Sequence, residues 1–196
     1  ISLIRRVPAP VCSFRMRSYV AICLTAWLGT AAAAQPDRFA DTVVKSVAVG
    51  GSVSMLTGAG GNLAVSIGPD GTLLVDDQFA QLAQRIQNTI DALGGSAPKL
   101  IINTHFHGDH TGSNSAFGGP GVIIAQEQVR YRLLNEPALP RSALPIITFA
   151  DRIRVHFNDD EIDVIHLPSG HTDGDSIVWF RNANVLHMGD LFFNGS

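Results

Sequence analysis

The chain has 196 residues, enough for one domain and too few for two of ordinary size. With 45% hydrophobic and 16% charged residues it reads as a folded chain, which excludes an intrinsically disordered protein. The formal net charge is −3, and after residue 34 there remain 10 basic against 17 acidic side chains. That balance excludes nucleic acid as a partner, because binding a phosphate backbone needs clustered Lys and Arg.

Residues 1–34 read as a secretory signal peptide with a preceding extension. Arg15 and Arg17 form a short basic region, 19–28 an apolar stretch, and Ala31 to Ala34 a small-residue run before Gln35-Pro36. The apolar stretch is about half of the roughly 20 residues that span a bilayer, so no permanent membrane span is expected. The expected location is periplasmic or secreted. Both cysteines, Cys12 and Cys23, fall inside this segment. The mature chain would hold no disulfide, thiol nucleophile or cysteine metal ligand.

Residues 35–196 read as one domain. Segments 43–49, 52–57 and 63–67 are predicted strands, Gly68-Pro69-Asp70-Gly71 a turn, and 72–75 a compact apolar strand. A helix is predicted over 78–93, with Phe79, Leu82, Ile86, Ile90 and Leu93 on one face. Asp76 or Asp77 would cap it, and Gly94-Gly95 would stop it. Strand 99–103 follows, then strand 122–125, a short helix at 126–134 and a proline-rich surface link at 137–145. Segments 152–157, 161–166, 175–180 and 184–188 read as further strands, the last two joined through Arg181-Asn182-Ala183. Strands and helices alternate irregularly, with meander-like stretches in both halves. The expectation is an α/β sandwich, not a doubly wound sheet, and Gly58-Ala59-Gly60-Gly61 is a loop between strands.

The chemistry is concentrated in His105-Phe106-His107-Gly108-Asp109-His110, just past strand 99–103. Loops at strand ends are held by a rigid scaffold and often carry function. If the loop starts extended, His105 and His107 project to one side and clasp one ion. A turn at Gly108, where glycine permits a tight path, points Asp109 and His110 at a second position. His171, after Leu167-Pro168-Ser169-Gly170, is the natural third imidazole. Asp190 has two oxygens and can bridge two cations about 3.5–4 Å apart. His187 and His166 read as packing or supporting groups, and His156 has no visible partner. Zinc favours such nitrogen and oxygen donors, although Fe or Mn can occupy similar sets. The inventory predicts hydrolysis by zinc-activated hydroxide, with Asp109 orienting the attacking water and handling its proton. Ser169-Gly170-His171 lacks the G-x-S-x-G elbow of a serine hydrolase.

With these residues in place, the chain resembles the metallo-β-lactamase superfamily from about residue 43 to 194. The resemblance rests on Thr104-His105-Phe106-His107-Gly108-Asp109-His110-Thr111-Gly112, on Gly170-His171-Thr172 and on Gly189-Asp190. Gly60-Gly61-Asn62 and Asp76-Asp77 agree with it. It implies an αββα four-layer sandwich, with His105, His107 and His171 on a first zinc. Asp109 and His110 would hold the second, and Asp190 would bridge the two. It also implies another histidine ligand well downstream, whereas only Leu191 to Ser196 follow Asp190. The expectation is therefore a sequence truncated in its second half. Asp190 stands where the resemblance implies cysteine or serine in β-lactamases acting on antibiotics. The expected substrate is then a small ester, thioester, lactone or amide, with a true β-lactamase or a non-catalytic metal-binding relative as alternatives. No sequence signal bears on oligomeric state.

Overall fold

The computed structural model describes residues 37–193, so the expected signal segment lies outside the described residues. Strands β1 (Lys45–Gly50), β2 (Val53–Thr57), β3 (Leu63–Gly68) and β4 (Gly71–Val75) form an antiparallel meander. Strands β5 (Leu100–Asn103), β6 (Val122–Gln126) and β7 (Ile147–Phe149) continue it in parallel, giving seven strands in chain order. A second sheet holds β8 (Arg152–Phe157), β9 (Asp160–His166), β10 (Ser176–Phe180) and β11 (Val185–His187), all antiparallel.

Period-two alternation decides what each face meets. Leu73, Val75, Ile102 and Ile124 of the first sheet pack with Ile162, Val164, Val178 and Phe180 of the second. The intervening Leu74, Ile101 and Ile123 face outward, under α1 (Ala83–Ala92). Leu82, Ile86 and Ile90 on that helix side are fully buried. Each such side chain contributes about 1.5–3 kcal/mol on leaving water. Two single turns, α2 (Gly108–Thr111) and α3 (Asn114–Phe117), link β5 to β6. Helix α4 (Glu127–Leu134) packs Val129 and Leu133 on Ala125 and Leu144. The described layers are thus helices, mixed sheet and second sheet, the predicted α/β sandwich. A helical layer outside the second sheet is not among the described residues. Nor, among them, is any helix long and apolar enough to cross a membrane.

Three local expectations differ from the structure. Asp76 and Asp77 do not cap α1, because positive φ angles at Asp76 (60°) and Gln78 (53°) turn the chain and leave both acids buried beneath the histidine loop. The helix instead follows a 3-10 turn, Ala80–Leu82, with no side-chain cap. The proline-rich link turns inward at Ala143, Leu144 and Pro145, where the Ala143 carbonyl accepts from Asn114 Nδ2 at 3.0 Å. It then delivers β7, a strand too short to register as a pattern.

Asn158 locks the two sheets together. It and Asp159 adopt φ of 54° and 58°, the left-handed pair suited to a tight β8–β9 hairpin. The Asn158 Oδ1 accepts from the Asp70 N–H, while its Nδ2 donates to Ser66 Oγ and the Gly71 carbonyl. The outer face of the second sheet carries a charge network instead. Arg154 grips the Asp163 carboxylate with two bonds of 2.7 and 2.9 Å, and Arg181 and Arg152 reach it at 3.0 and 3.2 Å.

Hydrogen bonds from Arg154 outweigh burial and, with those of Arg181 and Arg152, hold Asp163 well below the usual carboxylate range. A carboxyl whose folded pKa is depressed stabilises the fold above its unfolded pKa and stops doing so as acid protonates it. Asp163→Asn should therefore cost about 1–2 kcal/mol near pH 6, or roughly 3–6 °C in Tm. The gap should shrink as pH falls below about 4, the unfolded value. Thermal melts of both proteins at pH 6, 4 and 3 read this directly; a gap that stays constant would contradict it.

Candidate metal centre

The parallel strands β4 and β5 end side by side, and the second sheet abuts the same edge. Asp76 and Asp77 leave β4, the histidine loop leaves β5, His171 follows β9, and Asp190 follows β11. A hydrogen bond from Ser176 N–H to the Thr104 carbonyl, 2.9 Å long, ties the sheets together at this edge.

Asp76 organises the loop from below. Its Oδ1 accepts from the Thr104 N–H at 2.8 Å, and its Oδ2 faces Thr104 Oγ1 at 2.8 Å and His110 Nδ1 at 2.7 Å. Thr104 has one hydroxyl proton, and it goes to the carboxylate. The Thr104 oxygen must then accept from His105 Nδ1, 3.1 Å away, leaving a lone pair on His105 Nε2. Burial opposes charge on Asp76, but His110 beside it holds the carboxyl below its ordinary value. Burial likewise opposes charge on His110, yet the Asp76 carboxylate raises it to about 9. Burial and the neighbouring His110 lower His105 to about 4. Burial pushes the Asp77 carboxyl well above its ordinary value, although its Oδ1 accepts from the Ser113 N–H at 2.8 Å.

Above this base, donor atoms converge into two groups. His105, His107 and His171 form the first, and His105, His110 and Asp190 the second, each with its donor atoms within 4.8 Å of one another. His107 Nδ1 lies 3.1 Å from His105 Nε2 and 3.0 Å from His171 Nε2. Tetrahedral ligands at about 2.0–2.1 Å from a zinc ion stand roughly 3.3 Å apart, so three such nitrogens are close to the spacing one ion needs. The second group adds a clearer sign. His110 Nε2 is 3.0 Å from Asp190 Oδ1, yet this buried nitrogen has no hydrogen-bond partner. The distance is short and the angles are wrong, which is how two ligands aimed at a common point would stand. The second Asp190 oxygen lies 3.7 Å from His171 Nε2, so the carboxylate turns one oxygen to each group. These observations fit a divalent metal pair.

His105, His107, His110, His171 and Asp190 converge at this edge. Asp109 stands beside the groups rather than inside them, its Oδ2 3.7 Å from His110 Nε2 and partly open to solvent. His187 supports from the side, its Nε2 donating to the Asn62 carbonyl over 3.0 Å. His166 Nδ1 lies 2.8 Å from the Asp175 carbonyl, and His156 stays exposed on β8.

Sequence reasoning missed three supports. Asp76 supports Thr104 and His110 instead of capping α1. Asp175, buried, accepts the Thr172 N–H and hydroxyl at 2.6 Å each and so pins the loop carrying His171. Steric need was also misplaced: a Cβ on Gly108 would meet nothing within 4 Å, whereas one on Gly61 would sit 2.5 Å from His110 Nε2. Gly60-Gly61 leaves the space into which that nitrogen points. The signal for Asp76 was its place at the end of a buried strand, one strand from the histidine loop.

Comparison with known proteins agrees with this geometry. The family model for the metallo-beta-lactamase superfamily matches residues 58–196. A hydroxyacylglutathione hydrolase of Rhodospirillum rubrum is 33% identical over 115 residues, covering 58% of this chain and 41% of the relative. A 2,4-dinitroanisole O-demethylase subunit alpha of Nocardioides is 31% identical over 100 residues, 48% of this chain and 29% of its own. In fold the chain is similar to BJP-1, a subclass B3 metallo-beta-lactamase of Bradyrhizobium japonicum. The TM-score is 0.63 at 21% identity, covering 73% of this chain and 59% of that one. The chain thus spans less than half the length of these curated relatives. The match over 58–196 takes in the whole histidine loop, His171 and Asp190, and the chain belongs to the metallo-beta-lactamase superfamily.

Proposed function

We propose that the protein is an exported, zinc-dependent hydrolase of a small ester, thioester, lactone or amide. The observation that carries this reading is Asp190, which turns one carboxylate oxygen toward His110 and the other toward His171. Export is supported by the basic, apolar and small-residue order of residues 1–34. His105, His107 and His171 would hold one ion, and His110 with Asp190 the other, Asp109 being near enough to join it. Bound zinc supplies Lewis acidity and lowers the pKa of water beside it.

The chain's own groups do the rest. Asp76 holds the His110 ring through Nδ1, so its Nε2 stays turned toward the centre. Thr104 does the same for His105. Asp109, partly open to solvent, can take the proton of an attacking water and orient it.

A β-lactam is a cyclic amide, and the likeness in fold to a subclass B3 enzyme favours it as a second reading. Metal analysis with lactone, ester and nitrocefin assays on the full-length protein tests both. We expect two zinc ions per chain, with turnover abolished by chelation and restored by zinc. Nitrocefin turned over faster than lactones would favour the second reading. Absence of bound zinc, or no turnover of either class, would remove the proposal.

A further inference from the structure

Gln78 carries two costs that core packing does not require. It is a non-glycine residue in the left-handed region, with φ of 53°, and it is fully buried. Within that burial its Oε1 has no hydrogen-bond partner among the described residues. A left-handed backbone and an unsatisfied buried carbonyl each oppose folding, and an apolar residue of the same length would avoid the second. Such a residue persists where the structure around it gains from what it holds.

What Gln78 holds is the loop between β2 and β3. Its Nε2 donates to the Gly61 carbonyl over 2.6 Å. Turning the amide over would set its oxygen against that carbonyl, acceptor against acceptor, so the donor must face Gly61. Gly58 leaves room for the amide, since a Cβ there would lie 2.5 Å from Oε1. The main chain at the same place grips the histidine loop. The Gln78 carbonyl accepts from the Ser113 N–H at 3.1 Å, and the Asp77 N–H donates to the His110 carbonyl at 3.0 Å.

The two loops joined in this way touch at the second donor group. A Cβ on Gly61 would lie 2.5 Å from His110 Nε2, and one on Gly60 would lie 2.6 Å from Asp109 Cβ. The nearest neighbours of these glycines include His110 and Asp109 but neither His107 nor His171. Asp76 holds the His110 ring at Nδ1. The Gly61 backbone is the wall beside Nε2, and the Gln78 amide fixes that wall.

We propose that Gln78 is a positioning residue for the second ion, its amide clamping the glycine loop against His110 and Asp109. The inference rests on the two-metal reading above and extends it to a side chain that touches no ion. The clamp sets the space in which His110 Nε2 and Asp190 meet a metal, and the ion held by His107 and His171 should be indifferent to it.

The test is calorimetric titration of the metal-free full-length protein with zinc in the presence of a competing chelator. The parent should bind in two steps, and His107→Ala, which breaks the first group alone, marks the step that belongs to the second. Gln78→Met keeps the length of the side chain and removes the donor. Gln78→Asn keeps the amide but stops one methylene short of Gly61, and asparagine tolerates a left-handed backbone, so this variant should fold. In both, the second step should weaken at least roughly tenfold, as when other groups that orient ligands are lost, while the first stays within about twofold. Ile86→Val, buried under α1, is destabilised away from the site and should melt lower with both steps unchanged. Gln78 variants that bind both ions as tightly as the parent, or weaken the first step as much as the second, would overturn the proposal and leave the two-metal reading standing. A parent that binds no zinc would overturn both.

Discussion

His105→Ala should reduce kcat/KM by about a thousandfold or more and lower the zinc content by at least one ion per chain. His105 is the only residue common to both donor groups among the described residues, and it is 1% exposed. Its Nε2 is 3.1 Å from His107 Nδ1, and its ring lies 4.1 Å from that of His110. Alanine therefore removes a donor from the first group and a wall from the second. A metal supplies several kcal/mol of transition-state charge stabilisation, and each 1.36 kcal/mol is a factor of about ten in rate. Loss of three such factors is the modest end of that range. His156→Ala, on the exposed face of β8, is the matching control and should change neither quantity. Elemental analysis and steady-state kinetics on the two variants decide the matter. Two ions and full turnover in His105→Ala would contradict the assignment.

Asp76→Asn should lower zinc affinity by about 10–100-fold, although the side chain touches no ion. The wild-type carboxylate accepts from three donors at once: Thr104 N–H, Thr104 Oγ1 and His110 Nδ1. Asparagine has one oxygen, so its amide nitrogen must face at least one group that now donates. His110 would then be free to rotate or change tautomer, and its Nε2 would no longer be held toward Asp190. The same loss in a buried site should destabilise the metal-free protein by about 1–3 kcal/mol. Competition with a chelating dye measures the affinity, and thermal melts of the metal-free protein measure the stability. A variant that melts lower but binds zinc as tightly as the parent would show Asp76 to be structural only.

The two variants separate roles that one residue list merges. His105 would act through its own donor atom; Asp76 would act through His110 and Thr104. The first should show a change in stoichiometry and the second a change in affinity at preserved stoichiometry. Asp175 belongs with Asp76, since its two bonds of 2.6 Å hold the loop from which His171 projects.

Much of this was legible in the order of residues, because its causes are local. Alternating apolar positions predicted the strands that carry the inner core. Leu82, Ile86 and Ile90 at four-residue steps predicted the helix covering the outer face. The dense pattern from His105 to His110 announced metal ligation by composition alone. What local reading misjudged was the destination of side chains. Asp76 and Asp77 precede a helix and resemble caps, but the left-handed φ at Asp76 and Gln78 turns them inward. The glycine that matters for His110 is Gly61, from a different strand connection, while Gly108 has open space around it.

The sequence by itself determined ten of the strands, the two longer helices, the sandwich class and the donor types, since periodicity and turn chemistry act over a few residues. Only the tertiary structure decided which donors meet. His171 reaches His107 across 64 residues, and Asp76 reaches His110 across 34. Those meetings depend on β4 and β5 ending together and on the second sheet packing its apolar face against the first. The physical reason is that side-chain convergence follows from sheet register and core packing, which no short window contains. The same packing turns a list of histidines into a shaped site.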